Sequence, residues 1–227
     1  GTYSPETGET FPINMISNMN IEGEDEEITI LDAMEINRVI TIEDCDNNII
    51  SGTTITGGST PIISDLNFRQ EGGGIFVKSC TNLILENLKI NSNSSSYGGG
   101  LYFDGCSSST MLINSEVSNN TADYNGGGIR LWYADIIIAN VLVNNNSQDG
   151  ISMTTSNPII VDSQIFNHSS DGMILLSSCF PQIKNTNIYN NSYGISIKYN
   201  SSALINNTNI INNYLGLYIF EQSQVEL

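Results

Sequence analysis

Six side chains are spaced so that they could meet one ligand together. Phe76, Lys78, Tyr102, Asp104, Arg130 and Trp132 stand two or four residues beyond the last glycine of three similar phrases, GGGIFVK (72–78), GGGLYFD (98–104) and GGGIRLW (126–132). Aromatic rings interleaved with a guanidinium, an ammonium and a carboxylate make a surface on which sugar rings stack and hydroxyls bond. A basic residue beside a carboxylate could instead withdraw a proton next to a uronate, and hydrolysis of a glycosidic bond would need clustered carboxylates as acid and base. Whether the six share a face depends on what repeats along the chain.

A glycine followed by an alternating apolar strand recurs, ending on Gly74, Gly100, Gly128, Gly150, Gly172, Gly194 and Gly216, at separations of 26, 28, 22, 22, 22 and 22 residues. Each unit carries a second strand phrase, aligned on Ile90, Val117, Leu142, Ile165, Ile188 and Ile210. Three residues before these stand Asn87, Asn114, Ala139, Asp162, Asn185 and Asn207, and two residues after the last five stand Asn119, Asn144, Asn167, Asn190 and Asn212. Those are two asparagine ladders, with His168 facing Asn145 and Asn191 in a structural role.

Apolar positions alternate within each unit, and no stretch has helical spacing. Units this short cannot bury a face alone, so they must stack. The predicted fold is all-β: a right-handed, single-stranded parallel β-helix of about 22–28 residues per coil. It forms one domain over 1–227, with N-terminal coils over 1–58 and ladder coils over 72–227. The abrupt ends read as a piece of a longer protein.

Alternation then divides each glycine-led strand. Ile75, Leu101, Ile129, Ile151, Met173, Ile195 and Leu217, with Val77, Phe103, Leu131, Met153, Leu175, Ile197 and Ile219, point inward. Phe76, Tyr102, Arg130, Ser152, Ile174, Ser196 and Tyr218 point outward, as do Lys78, Asp104, Trp132, Thr154, Leu176, Lys198 and Phe220. On this reading the six ligand candidates form an exposed aromatic and charged patch. The second strand also has an apolar outer face around Met111, Ile113, Ile136, Ile138, Ile159 and Val161, suited to a partner, another copy or a covering segment. The triple glycines are a tight corner and not a phosphate loop, because no helix follows them.

Seven Lys and Arg against 24 Asp and Glu give a net charge of −17, which excludes nucleic acid and anionic membrane as partners. No apolar run is long enough to insert in a bilayer. Asp149 and Asp171 stack at one corner, and Glu22, Glu24, Asp25, Glu26 and Glu27 form an acidic turn. Both are read as solvated charge. Calcium is the ion such oxygen clusters would take, but neither offers six ligands, so no metal site or cofactor is predicted. Cys45, Cys80, Cys106 and Cys179 recur at one corner as a buried thiol column, with a Cys80–Cys106 bridge left open by coil spacing.

The phrase VSNNTADYNGGGI (117–129) resembles the GGAI and FxxN repeats of chlamydial polymorphic outer-membrane proteins and related adhesin-like surface proteins. The opening 1–33, with ISGTTITGG (50–58), is similar to the domain that begins many bacterial and archaeal right-handed β-helix surface proteins. The resemblance implies the β-helix and an extracellular or cell-surface location. It implies no reaction, because this helix carries enzymes and adhesins alike. Seven basic residues and no three-carboxylate face argue against catalysis, so no catalytic residue is assigned. The expectation is a non-catalytic, adhesin-like stalk or carbohydrate-binding scaffold. Its partners would be a polysaccharide or surface glycan, other copies, or flanking domains. The competing readings are a polysaccharide-degrading lyase or glycosidase, and a self-assembling surface-layer or filament subunit.

Overall fold

Backbone amides of one coil bond to carbonyls of the next in the computed structural model, which describes residues 1–60 and 70–227. Nine glycine-led or equivalent strands, from Ile13–Asn14 through Ile75–Lys78, Leu101–Asp104 and Ile129–Trp132 to Leu215–Ile219, stack as one parallel sheet. Its register places Ile75, Leu101, Ile129, Ile151, Met173, Ile195 and Leu217 in a single column. The first six are fully buried, as are Val77, Phe103, Leu131, Met153, Leu175 and Ile197. Leu217 is only partly buried and Ile219 is exposed, since no described strand covers the last coil. Coil length is not uniform: Ile40 pairs with Ile75, so the coil between them is 35 residues long.

A second parallel sheet of 16 strands wraps the remaining two faces. Ile49–Thr56 and Ile84–Asn91 cross both faces as single strands. Later coils break there into three-residue strands such as Met111–Ile113 and Glu116–Ser118. The break falls where Asn114, Asn140, Asp162, Asn185 and Asn207 adopt φ of 50°, 54°, 53°, 51° and 45°. Asparagine and aspartate tolerate this left-handed conformation far better than branched residues do.

That requirement corrects the predicted register. Val143, not Leu142, joins the column of Val117 and Ile165, and Leu142 is exposed. The alternation in ANVLVNN permits either choice; the left-handed corner at Asn140 selects one. Asn140 thus replaces Ala139, and Asn145 replaces Asn144, in the two columns. Both columns then lie wholly at left-handed corners, with Asn119, Asn145, Asn167, Asn190 and Asn212 at φ of 55°, 51°, 60°, 56° and 55°. The same slip turns Ile136 and Ile138 into the core, leaving Ile137 beside half-buried Met111, Ile113, Ile159 and Val161 on the outer apolar face.

The inward ladder is one residue further on. Asn93, Asn120, Asn146, His168 and Asn191 are all buried, with Asn213 continuing the column. Asn93 and Asn120 each donate their backbone N–H to the next coil's Oδ1, at 3.1 and 2.9 Å, and their side-chain amides reach Ile55 O and Ile90 O at 3.0 and 2.9 Å. His168 therefore faces Asn146, not Asn145. The Asn146 N–H points at Nδ1 at 3.2 Å, so the proton resides on Nε2, which donates to Val143 O at 3.1 Å. The imidazole performs both tasks of a carboxamide.

Cys45, Cys80, Cys106 and Cys179 are free, buried thiols. Burial pushes the Cys106 thiol up to about 12 and raises Cys80 and Cys179 in the same direction. Since the thiolate is the reactive form, none of the four should react with Ellman's reagent in the native protein at pH 8, and all four should react once it is unfolded. Rapid titration of any thiol before unfolding would contradict the buried column.

Candidate functional site

The glycines that open three of these strands turn the backbone tightly. Gly72, Gly98 and Gly126 have φ of 64°, 64° and 65°, and a Cβ on any of them would meet the carbonyl oxygen of Ile75, Leu101 or Ile129 at 2.6, 2.4 and 2.6 Å. The turn therefore folds back against its own strand. Residues that alternation places outward are nonetheless buried: Phe76, Tyr102 and Arg130 are 8%, 2% and 4% exposed, and Ser152, Ile174 and Ser196, on coils without such a turn, are buried too. This corrects the expected exposed patch.

Phe76 stacks on Tyr102 at 5.8 Å, with the Arg38 guanidinium 4.6 Å from its ring centre on a neighbouring coil. Tyr102 is held protonated by burial and by Glu71 beside its hydroxyl. Arg130 lies across the next coil, where small Ser152 makes room for it. Its Nη1 donates to Ser152 Oγ at 2.5 Å and its Nη2 to Thr154 Oγ1 at 2.7 Å, while Nε has no partner. Burial lowers its proton affinity.

What remains at the surface is the second outward row. Lys78 is committed to Glu43 at 2.7 Å, a pairing that raises its proton affinity. Asp104 and Trp132 are half-buried. Tyr133, absent from the predicted set, turns outward at φ 49° and is 55% exposed, edge-on to Trp132 at 5.5 Å. Arg130 sits 5.4 Å from the Trp132 ring from beneath. The six candidates are thus neighbours, but in two layers: Lys78, Asp104 and Trp132 above, Phe76, Tyr102 and Arg130 below.

Asp149 and Asp171 do stack on adjacent coils, but as buried groups, each 3% exposed, and not as solvated charge. Desolvation pushes Asp171 up to about 6 and raises Asp149 likewise, despite the Asn125 amide and Gly126 N–H that approach Asp149 at 3.4 Å. Among the described residues no three His, Cys, Asp or Glu converge as metal ligands. In the acidic turn, Glu27 pairs with Lys89. Among the described residues no helix is long and apolar enough to cross a membrane.

A second concave surface lies at another corner of the coil. A shallow groove, largely open to solvent, runs along Asn119, Asn145, Asn167 and Asn190, with Thr121 and Ser169 beside them. Asn119, Asn167 and Asn190, expected in a ladder column, are exposed. The doublets at 119–120, 145–146 and 190–191 were the available signal: of two consecutive asparagines only one can point inward.

Coils of parallel strands around an unbroken apolar core, closed by an internal asparagine ladder, define a β-helix. Residues 99–227 match the family model described as right handed beta helix region, and the chain belongs to that family. No curated protein matches the sequence. Among solved structures, the chain is similar to the Azotobacter vinelandii mannuronan C-5 epimerase AlgE6 A-module, at 14% identity and a TM-score of 0.55 over 93% of this chain and 65% of that one. It is also similar to pectate lyase Pel9A, at 14% identity and a TM-score of 0.56 over 99% of this chain and 66% of that one. The chain thus spans just under two thirds of either protein's length, and at this identity the likeness is one of fold.

Proposed function

We propose that this chain is a non-catalytic, extracellular or cell-surface β-helix module that holds a polysaccharide or surface glycan on the glycine-led face. The observation that carries this reading is the Trp132–Tyr133 corner, two rings at 80° to one another, one of them largely exposed, with Arg130 fixed behind the indole. Rings held at a right angle offer a sugar one apolar face and one edge, at low cost in side-chain entropy. The names of the epimerase and the pectate lyase, both acting on polysaccharides, support a glycan as ligand. Against turnover stands the state of the two bases: Arg130 is buried with both terminal nitrogens bonded, and Lys78 is neutralised by Glu43. Phe76 and Tyr102, stacked on one another and buried, serve as structural packing on the neighbouring coils.

The test is retention on immobilised glycans, with and without calcium, together with assay for unsaturated products. Wild type is expected to be retained without releasing product. Trp132→Ala should lose retention by about tenfold, the value of one good aromatic contact. Unsaturated products that vanish in Arg130→Ala would overturn this reading and make the chain a lyase.

A further inference from the structure

We infer that the asparagine groove is a second binding site, one that takes an extended neutral polysaccharide lying along the helix axis. It rests on the glycan-binding reading, but on a different corner of the coil from Trp132. The molecule contains its own comparison. Both outer asparagine columns occupy left-handed corners, so turn geometry explains the residue type in both. In the first column the side chains bond to one another: Asn140 donates to Asn114 at 2.9 Å, Asn185 to Asp162 at 2.9 Å, and Asn207 to Asn185 at 2.8 Å. In the groove column they do not. Asn119, Asn167 and Asn190 are exposed and make no side-chain hydrogen bond within the described protein, while Asn145 donates to its neighbour Asn144 at 2.6 Å. A carboxamide offers two donors and an acceptor, and here a row of them opens into a concavity.

Two features select the ligand. No Lys, Arg, Asp or Glu lines the groove, and His168, the one titratable residue there, is held neutral in the inner ladder. With a net charge of −17 behind it, that uncharged lining disfavours a polyanion. Coils repeat at about 4.8 Å, whereas side chains on one face of an extended peptide repeat at roughly 6.6 Å, so a peptide would fall out of step with the amides. A hexose unit in an extended chain advances by nearly the coil spacing and presents hydroxyls at each step. Phe166 and Tyr189, the residues just before Asn167 and Asn190 in sequence, stack on one another at 4.7 Å on the adjoining strands.

The experiment uses the full chain and neutral hexasaccharides (cello-, xylo-, laminari- and chito-) alongside polygalacturonate and alginate. It reads the side-chain amide signals of Asn119, Asn167 and Asn190 by ¹⁵N–¹H correlation. Asn167→Asp with Asn190→Asp is the variant: aspartate already occupies a left-handed corner at Asp162, so the fold is retained while two donors are lost. At least one neutral hexasaccharide should shift these amides, with affinity falling about tenfold or more in the double variant. Asn114→Asp, in the column whose side chains bond to one another and where aspartate still accepts from Asn140, should leave it within twofold. The inference is overturned if no neutral chain moves the amides, if only the polyuronates do, or if the double variant binds like wild type. Binding that Trp132→Ala abolishes and the double variant spares would sink the groove and leave the Trp132 site standing.

Discussion

Gly127→Ala should destabilise the protein by about 3 kcal/mol or more, the upper end for an overpacked position. A Cβ at Gly127 would sit 1.7 Å from the Ser147 carbonyl oxygen and 2.7 Å from its carbon, so the obstacle is backbone of the next coil, not a side chain that can rotate away. Moving that backbone means shifting a corner fixed to the neighbouring coil, where the Ser147 N–H donates to Asn120 O and Ser147 Oγ accepts from the Ala122 N–H, both at 2.9 Å. Gly105→Ala is the control: it has φ 64°, but its nearest neighbour is Ser79 Oγ at 3.8 Å, so only conformational strain applies, about 1 kcal/mol. Urea midpoints at unchanged m-value measure both. A cost below 1 kcal/mol for Gly127→Ala would mean that neighbouring coils do not approach as closely as the middle glycine implies.

The second large effect is a pH dependence carried by His168. Desolvation lowers its pKa from 6.5 to about 4, opposed by its bond to the Val143 carbonyl. Above pH 6.5 folded and unfolded chains both hold a neutral ring. Between pH 6.5 and 4 only the unfolded chain takes up a proton, so stability falls with pH, by about 3 kcal/mol in all. Asp171 acts with the opposite sign. Its pKa is about 6 when folded against 3.8 in the free group, so the folded chain binds the proton first and gains stability as pH falls through that window. Asp149 shifts in the same direction. Wild-type stability should thus change little from these groups between pH 7 and 4.5. His168→Asn, which installs the residue of the other ladder positions, removes only the loss. The stability difference between variant and wild type should widen by about 2 kcal/mol or more from pH 7 to 4.5, in the variant's favour. A difference independent of pH would show that His168 takes up its proton in the fold as readily as in the unfolded chain, and that its ladder geometry is wrong.

Strand periodicity, the glycine spacing and the apolar columns were all legible in the chain, because each coil repeats the same physical requirement: an inward row every second residue and a corner that admits left-handed backbone. Alternation alone places Ile75, Phe103, Leu131 and Met153 in the core, and they lie there. The register at Val143 was not legible, since Val141, Leu142 and Val143 are all apolar and only the corner at Asn140 breaks the tie. His168 could be assigned to the ladder corner, but not to its partner, for the same reason.

Alternation also cannot say what lies over an outward side chain. Phe76, Tyr102 and Arg130 are outward by pleat yet buried, because side chains of neighbouring coils lie against them: Phe76 and Tyr102 stack, Arg38 covers Phe76, and Arg130 bonds to Ser152 and Thr154. Asp149 and Asp171 leave solvent through burial at the corresponding corner. Nor can spacing tell a column of amides bonded to each other from one left open to a groove; both read as asparagine every 22 or so residues. Local residue chemistry and periodicity determined the coil, its core and its corners. The packing of each coil against its neighbours decided which side chains reach water, and so which surface can act.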